Sequence, residues 1–484
     1  MNRRNFIKHI GFLSAGYALS QNTVLANSRG LSSAPNRSSA LFPTVRKPSS
    51  ERAFRSQAID NAVSTFKQNV KNKELGWLFE NCFPNTLDTT VSYSLKNDRP
   101  ITYVVTGDID AMWLRDSSAQ VYPYLDFVSE DKNLQMLIAG IINCQTSFIL
   151  KDPYANAFYD DDKKYTRWVS DHTEMKPGVH ERKYELDSLC YPIRLAYGYW
   201  KKTGDVAPFD SQWKKAIETI LRVCREQQRK EGNGQYSFRR TSEWAIDAVP
   251  MGGLGYKVNP IGLICSTFRP SDDATIFPFL VPSNFFAVVS LRQAAEMIVN
   301  ITKDDPLVSE LMALSHEVHE ALKTYAVVDH PKFGKIYAYE IDGFGSSYLC
   351  DDANVPNLLS LPYLGAMNSD DVIYANTRKF VWSEYNPFFF KGKIAEGIGG
   401  PHIGTDMIWP MSIIMKALTS KNDQEIQQCI KVLQRTHAGT GFMHESFHKD
   451  NPQNFTRNWF AWANTLFGEL LWKTFKEKPY LLEY

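Results

Sequence analysis

Residues 106–121, TGDIDAMWLRDSSAQV, form the segment around which the rest of this chain is organised. The segment combines Trp113 with the ion-pairing dipeptide Arg115-Asp116 and then becomes helix-like. Asp116 is a candidate N-cap, which would hold its carboxylate and Arg115 at the entrance of a helix. Carboxylates and a guanidinium grip sugar hydroxyls, and an indole packs on the apolar face of a sugar ring. A surface turn with a capping aspartate and a packed tryptophan fits these residues equally well.

Downstream of residue 50, apolar residues recur at helical spacing and predict a helical domain. Long loops rich in Gly, Pro and aromatic residues separate the helices, which suits a scaffold that presents a site on one face. Polar loop clusters near residues 116, 187, 243, 272, 352 and 445 suit a ring of helical hairpins, although solenoids also space their units in tens of residues. Composition does not change after residue 50, so we predict one all-α domain over residues 51–484. The four clearest stripes are Leu134, Leu137, Ile138, Ile141 and Ile142; Ile217, Ile220, Leu221 and Cys224; Val308, Leu311, Met312, Ser315, His319 and Leu322; and Ile426, Cys429, Ile430 and Leu433.

The overall composition excludes several classes of function. The 484 residues carry a formal net charge of +1, so no global field attracts nucleic acid or an acidic membrane. Aromatic residues make up 13% of the chain, which suits either a carbohydrate site or a large aromatic core. The seven cysteines are scattered singly without a CxxC pair, so we expect most of them to be buried as small apolar residues.

Residues 1–26 have the features of an export signal: a basic start, a short apolar core and a small-residue cleavage site. The run NRRNFIK at residues 2–8 is similar to the twin-arginine signal, with an ordinary secretory signal as the alternative. Residues 27–50 are rich in Ser, Pro, Asn and Arg and are predicted to be a disordered linker. We therefore expect an exported, periplasmic protein. It should lack a membrane anchor, because no later apolar run reaches the roughly 18 residues needed to span a bilayer.

Two further clusters carry acidic side chains at the start of predicted helices. In HERKYELDSLCYPIR, Glu185 and Asp187 alternate before an apolar helix, where acidic residues also simply complement the helix dipole. In TFRPSDDATIFPFLVPSN, the adjacent Asp272 and Asp273 lie in a Pro-bounded loop before an apolar run. A carboxyl against apolar surface, with a like charge beside it, has its pKa raised, as a general acid near neutral pH requires. A turn that caps the next helix remains the alternative for one of the pair.

The remaining clusters lie in the second half of the chain. The pair Asp351-Asp352 in YLCDDAN lacks the context of a dedicated metal site, because there is no DxDxDG loop. His402 lies in the Gly/Pro loop GIGGPHIGTDMIW, where it suits either a sugar contact or a backbone-satisfied loop histidine. Glu445 lies in GFMHESFHKDNPQNFTRNWFAWA, where its aromatic surroundings suit a base that activates water. The spacing of its flanking histidines matches HExxH, but Pro452 and the nearby glycines argue against a zinc-binding helix. We expect no metal and no cofactor.

Together these motifs resemble the bacterial and fungal exo-α-1,6-mannosidases of glycoside hydrolase family 125. The resemblance covers essentially all of residues 50–484 and rests on five long ordered motifs: TGDIDAMWLRDSSAQV, HERKYELDSLCYPIRLAYGYW, FRPSDDA, YLCDDANVP and GFMHESFHKDNPQNFTRNWFAWANTLFGEL. It implies an (α/α)6 barrel whose long loops form the active-site face. It also implies metal-independent removal of terminal mannose with inversion of configuration.

The resemblance assigns roles to particular residues. Asp272 matches the general acid and Glu445 the general base. Inverting hydrolases hold these two carboxyls roughly 6.5–9.5 Å apart, with a water between the base and the anomeric carbon. The GIGGPHIGTDMIWP loop is more variable in the family, so it does not define contacts beyond the first sugar. The resemblance places Arg115, Asp116, Glu185, Asp187 and His402 in segments that line the terminal sugar's subsite. The other residues expected to bind substrate are Trp113, Arg269, Asp273 and Trp459.

Two alternatives remain at this stage. One is another inverting exo-glycosidase on an (α/α)6 barrel, distinguished by the sugar at the non-reducing end. The other is an exported glycan-binding protein without catalysis, which would share the aromatic loops but would not need two convergent carboxylates. The expected partner is an α-mannoside oligosaccharide, and the protein is expected to be a monomer.

Overall fold

The computed structural model describes residues 42–484, of which Thr44–Tyr484 form one compact unit. The predicted export signal at residues 1–26, and the predicted linker up to residue 41, lie outside the described residues. The last part of that predicted linker belongs to the folded unit, because Arg46 forms ion pairs with Asp60 at 2.9 Å and with Asp88 at 2.7 Å. The folded unit therefore begins before residue 51.

Helices dominate the described chain, and several begin at side chains that cap their free amides. Asp131, for example, accepts the backbone N–H groups of Asn133 and Leu134, and Asp210 accepts two amides in the same way. The α-helices are α1 (Gln57–Asn69), α2 (Lys73–Cys82), α3 (Asn85–Thr89), α4 (Leu114–Ala119), α5 (Lys132–Lys151), α6 (Leu186–Thr203), α7 (Ser211–Gln227), α8 (Val281–Ile301), α9 (Asp305–Tyr325), α10 (Val372–Val381), α11 (Pro410–Leu418), α12 (Asp423–Gln434) and α13 (Ala461–Glu477).

The predicted apolar stripes fall in α5, α7, α9 and α12, one stripe in each helix. All four predicted positions of α12 are buried, as are the five of α5 and the four of α7. In α9 the stripe is less complete, since Met312 is 45% exposed. The helical periodicity of the sequence is thus confirmed in full for α5, α7 and α12 and in part for α9.

The expectation of a purely α domain is incomplete, because short antiparallel strands form in the loops between helices. These strands are two to six residues long, too short for alternation to be recognised within polar loops. They pair as β1–β2, β3–β4–β5, β6–β9–β10, β7–β8, β11–β12 and β13–β14–β15. Their ranges are β1 (Val91–Lys96), β2 (Arg99–Val104), β3 (Met112–Trp113), β4 (Ala157–Phe158), β5 (Val179–Glu181), β6 (Phe279–Leu280), β7 (Val327–His330), β8 (Gly334–Tyr337), β9 (Glu340–Ile341), β10 (Ser347–Tyr348), β11 (Phe389–Lys391), β12 (Glu396–Ile398), β13 (Met407–Ile408), β14 (Ser446–His448) and β15 (Asn451–Thr456).

The helices pack in successive contacts, and the last helix returns to the first ones. Helix α4 packs on α6, α6 on α8, α8 on α9, and α11 on α13, while α13 also packs on α2. Aromatic side chains make the contact between helices α1 and α2 and helix α13: the rings of Phe66 and Phe475 are 5.3 Å apart, and those of Phe79 and Trp472 are 6.0 Å apart. The N-terminal and C-terminal helices therefore share one core.

Two features of the core can be compared directly with expectations from the sequence. All seven cysteines are buried and free, as expected of small apolar residues. Helix α5 is long and apolar enough to cross a membrane by length and composition, but 72% of its apolar window is buried inside the fold.

A close backbone approach joins the first polar motif to the last. Gly107, at φ 135°, pairs with Phe460, and a Cβ added to Gly107 would lie 2.2 Å from the carbonyl oxygen of Trp459. Only glycine fits this position, because it lacks a side chain and tolerates the positive φ. The segments that carry Arg115 and Glu445 are thereby held side by side.

Candidate active site

A cavity of about 330 Å³ lies where the polar loops converge. Six of the residues predicted for the site line it, contributed by segments far apart in sequence: Trp113, Arg115, Asp116, Asp272, His402 and Glu445. The sheets β3–β4–β5 and β13–β14–β15 deliver many of these side chains, because β3 leads directly into α4 and Glu445 immediately precedes β14.

Arg115 lies at the centre of a cluster of four carboxylates. Only 4% of its side chain is exposed. It lies inside α4, in which Asp116 occupies the first turn and Trp113 is the N-cap, so the prediction that Asp116 caps this helix is wrong. The N–O distances from Arg115 are 2.5 Å to Glu185, 3.3 Å to Asp187, 3.4 Å to Asp272 and 3.4 Å to Asp116.

Glu185 and Asp187 are fully buried behind the cavity wall, where they contact Arg115. Burial raises the pKa of Glu185 well above its usual range, even though Arg115 opposes the shift. Burial likewise raises the pKa of Asp187 to about 6. Both carboxyls were predicted to bind substrate. The structure places them beneath Arg115 instead, and they do not line the cavity.

Asp272 and Asp273 point in different directions from one tight turn. Asp272 has a positive φ of 65° and lines the cavity. Its amide donates to the carbonyl of Arg269 at 2.9 Å, and the amide of Arg269 donates to the carbonyl of Asp273 at 2.8 Å. Asp273 is buried instead, with 1% of the residue exposed. Backbone strain of this kind costs on the order of 1–3 kcal/mol and gathers at functional positions.

The charge environment of Asp272 differs from the one expected. Burial alone would raise the pKa of Asp272, as the sequence predicts, but Arg115 and Lys183 outweigh that effect and hold the pKa below its usual range. The ammonium of Lys183 also donates to the backbone carbonyl of Asp272 at 2.8 Å. The prediction of a raised pKa at Asp272 is therefore wrong.

Asp273 holds His402 at the cavity. The Nδ1 atom of His402 lies 3.1 Å from Asp273 Oδ1, and Ser271 donates to Asp273 at 3.2 Å. Desolvation by the cavity wall would lower the pKa of His402, but Asp273 outweighs it and raises that pKa to about 9. His402 is therefore an imidazolium at neutral pH, and it faces the two candidate catalytic carboxylates.

Glu445 lies at the open end of the β14–β15 hairpin. Arg457, which follows β15, donates from Nη1 to Glu445 Oε1 at 3.4 Å and from Nε to Asp108 at 2.8 Å. Only 10% of the Glu445 side chain is exposed, yet it lines the cavity. A carboxylate held by one cation and open to a small cavity is suited to accept a proton from water.

Two predicted substrate-binding residues lie elsewhere. Arg269 is buried and pairs with Glu340, with an N–O distance of 2.6 Å. Trp459 donates from its indole to Thr89 at 3.1 Å and lines a separate cavity of about 230 Å³. The structure therefore does not bring either residue to the main cavity.

Sequence reasoning did not assign to the site the charged side chains that form one wall of the cavity, among them Arg167, Lys183, Arg240 and Asp247. Arg240 donates to Asp171 at 2.7 Å and to Glu181 at 2.8 Å, and its guanidinium stacks 3.6 Å from the ring of Trp168. Lys183 pairs with Asp247 at 2.9 Å. The dense charges of HERK immediately before Glu185 were the available signal. No cluster of three or more His, Cys, Asp or Glu side chains within residues 42–484 has the geometry of a metal site.

The sequence matches the model of one protein family over residues 72–472, described as metal-independent alpha-mannosidase (GH125). The chain belongs to glycoside hydrolase family 125. A relative in Schizosaccharomyces pombe (strain 972 / ATCC 24843), named meiotically up-regulated gene 157 protein, is 40% identical over 460 residues, which cover 91% of this chain and 90% of the relative.

Solved structures agree with this membership of family 125. A Streptococcus pneumoniae metal-independent alpha-mannosidase, in a non-productive substrate complex with alpha-1,6-mannobiose, superposes with a TM-score of 0.85 at 38% identity and covers 88% of this chain and 100% of its own. A bacterial glucoamylase complexed with acarbose has a TM-score of 0.53 at 12% identity, covering 87% of this chain and 59% of its own. At that identity, the glucoamylase shows similarity of fold only.

Proposed function

We propose that this family 125 protein is an exo-acting, inverting α-1,6-mannosidase that releases non-reducing terminal mannose from mannan or N-glycan oligosaccharides. The observation that carries the proposal is that Asp272 and Glu445 line the same cavity although they are far apart in sequence. Each has a guanidinium beside it, Arg115 for Asp272 and Arg457 for Glu445. Two carboxyls in one pocket are the minimum that glycoside hydrolysis with inversion requires.

In the proposed reaction, Asp272 protonates the glycosidic oxygen while Glu445 removes a proton from the attacking water. The water attacks the anomeric carbon from the face opposite the leaving group, so the released sugar has inverted configuration. Arg115 and His402 are positively charged at neutral pH beside the reacting centre, and Trp113 offers an indole to the sugar ring. The partly open position of Asp272 suits contact with a leaving group.

The substrate assignment rests on the relatives. The family description names alpha-mannosidases, and the Streptococcus pneumoniae relative holds alpha-1,6-mannobiose. The likeness of fold to a glucoamylase supports the further proposal that the helices form an (α/α)6 barrel. We also propose that the protein acts as a monomer, which sedimentation of the purified protein tests directly.

Time-resolved proton NMR with α-1,6-mannobiose in the presence of a chelator tests the reaction. The expected first product is β-mannose, which then mutarotates. Prompt α-mannose would mean retention and would recast Glu445 as a nucleophile. Failure on all α-mannobiosides, with turnover of another terminal sugar, would favour a different inverting exo-glycosidase. Binding without any turnover would favour a glycan-binding protein.

We further propose that residues 1–26 direct export to the periplasm by the twin-arginine route. The paired Arg3 and Arg4 carry this proposal. Replacing both by lysine should retain the chain in the cytoplasm. Continued export of that variant would point to an ordinary secretory signal.

A further inference from the structure

The proposed general acid lies in surroundings that disfavour its protonated form. Asp272 faces Arg115 at 3.4 Å, and Lys183 and His402 act on it electrostatically. Positive charge favours the carboxylate over the acid, yet a general acid must begin the reaction with a proton. The site therefore needs a second group that keeps a proton close to Asp272.

The carboxylates around Arg115 outnumber the positive charge among them. Four carboxyls lie within 3.4 Å of this one guanidinium, and the side chains of Glu185 and Asp187 are fully buried. One guanidinium shared by four carboxyls leaves part of their charge uncompensated, which is costly in a protein interior, so the buried members of the cluster retain protons rather than all carrying full negative charge. The deepest carboxyls are the ones that hold them.

Glu185 is the buried carboxyl that shares two partners with Asp272, because Arg115 and Asn156 each contact both side chains. The amide of Asn156 joins the two, with Nδ2 lying 3.1 Å from Asp272 Oδ1 and 3.5 Å from Glu185 Oε1. Ser188 donates to Glu185 Oε2 at 2.6 Å and orients that carboxyl. Burial raises the pKa of Glu185 well above its usual range, whereas the cations hold the pKa of Asp272 low, so a proton shared by the two rests on Glu185.

We propose that Glu185 is a positioning residue that stores the acid proton and hands it to Asp272 during glycosidic cleavage. The proposal rests on the function proposed above. The Glu185 O–H bond breaks as the Asp272 O–H bond forms. The Asp272 O–H bond then breaks as the glycosidic oxygen gains the proton and its bond to the anomeric carbon breaks. Water forms the new bond to that carbon and gives a proton to Glu445. Glu445 then releases that proton to solvent, and solvent returns one proton to the Glu185–Asp272 pair.

The test compares Glu185→Gln with the unmodified protein on two substrates. α-1,6-Mannobiose has a poor leaving group that needs a proton, whereas 2,4-dinitrophenyl α-mannoside has one that leaves without it. We expect kcat on mannobiose to fall by about 10²–10⁴-fold, the usual contribution of general acid catalysis. Activity on the dinitrophenyl substrate should stay near that of the unmodified protein, and it also reports that the variant is folded.

The pH profile supplies a second readout. In Glu185→Gln, the proton on Asp272 must come from solvent, so activity on mannobiose should recover as the pH falls. The charged or titratable groups that act on the pair are Arg115, Asp116, Lys183, Asp187 and His402. Ser188→Ala removes a hydroxyl that favours the ionised form of Glu185. This variant should therefore raise the pKa of Glu185 and move the alkaline limb of the pH–activity profile on mannobiose to higher pH. A merely structural role for Glu185 would produce neither shift.

Asp187→Asn is the matched control. Asp187 is as buried as Glu185 and binds the same Nη1 atom of Arg115, at 3.3 Å. Any loss in this variant should be equal on the two substrates. Equal losses in Glu185→Gln, or full activity on mannobiose, would overturn the inference and leave the proposed function intact. An unmodified protein inactive on mannobiose would overturn the proposed function and the inference together.

Discussion

Arg457 and Glu445 face each other across the open end of one hairpin, with Nη1 of the arginine 3.4 Å from Oε1 of the glutamate. The pairing of Ser446 with Thr456 fixes this relationship, because it brings the residues that flank the two strands together. Arg457 is anchored in turn to Asp108, on the motif that also carries Arg115. Arg457 therefore links the candidate base, Glu445, to the motif that carries Arg115.

Glu445→Ala should lower kcat on mannobiose by about 10²–10⁴-fold, because a general base contributes that much to catalysis. KM should change less, since the contacts with the terminal sugar remain. Azide fits the space left by the carboxylate, needs no base, and should restore turnover of 2,4-dinitrophenyl α-mannoside. The product is then expected to be β-mannosyl azide, identified by NMR. Formation of the α-azide would contradict the assignment of Glu445 as base.

Asp272→Asn should lose activity on mannobiose by a similar factor of about 10²–10⁴ and keep its fold. Asparagine tolerates the positive φ of this position, so the turn is not disrupted. Asp273→Asn should lose less, because Asp273 acts on the cavity through His402. Steady-state kinetics and melting temperatures of both variants check this order. The reverse order would mean that Asp273 is the acid.

The His402–Asp273 pair should make stability depend on pH. The pKa of His402 is raised to about 9 in the folded protein, from an ordinary value of about 6.5. The pair therefore stabilises the fold fully below about pH 6.5, and this contribution is lost as the pH rises through about 9. The melting temperature of His402→Gln should fall below that of the unmodified protein at acidic pH and approach it at alkaline pH. In an Asp273→Asn background the same substitution should have no such pH dependence.

Arg269 should matter for stability rather than for sugar binding. Glu340→Ala leaves its guanidinium buried without the partner at 2.6 Å, and removing one member of a buried pair typically costs about 3–5 kcal/mol. Urea unfolding measures the loss, and KM measured well below the melting temperature should be unchanged. Glu320→Ala, which breaks the exposed pair with Lys323, is the control, with an expected cost of about 0–1 kcal/mol. A large rise in KM in Glu340→Ala would instead indicate that Arg269 contributes to sugar binding.

The sequence predicted the parts of this protein that depend on local pattern. Apolar residues at helical spacing located α5, α7, α9 and α12, because burial of one face dictates that spacing. The polar loop motifs in the sequence predicted most of the segments that line the cavity, because the site lies in the loops that connect the packed helices. The strands between the helices escaped prediction, since pairs such as Met112 with Phe158 form through contacts distant in sequence.

Side-chain direction and charge environment could not be read from the sequence. Asp272 and Asp273 are neighbours, yet one turn sends the first into the cavity and the second towards His402. Trp459 lies between cavity-lining residues in the sequence but turns towards Thr89. The pKa of Asp272 was predicted to rise, and it falls because cations from distant segments converge on it.

The packing of the last helix on the first ones has a consequence for synthesis of the protein. Contacts such as that between Asn72 and Tyr484 span 412 residues, so they form only after residue 484 has been synthesised. A nascent chain carries Asp272 early, but the hairpin with Glu445 and the helix α13 that follows it emerge last. A chain that ends before residue 445 therefore lacks one of the two carboxyls proposed to react. We therefore expect any product truncated before residue 445 to lack hydrolytic activity.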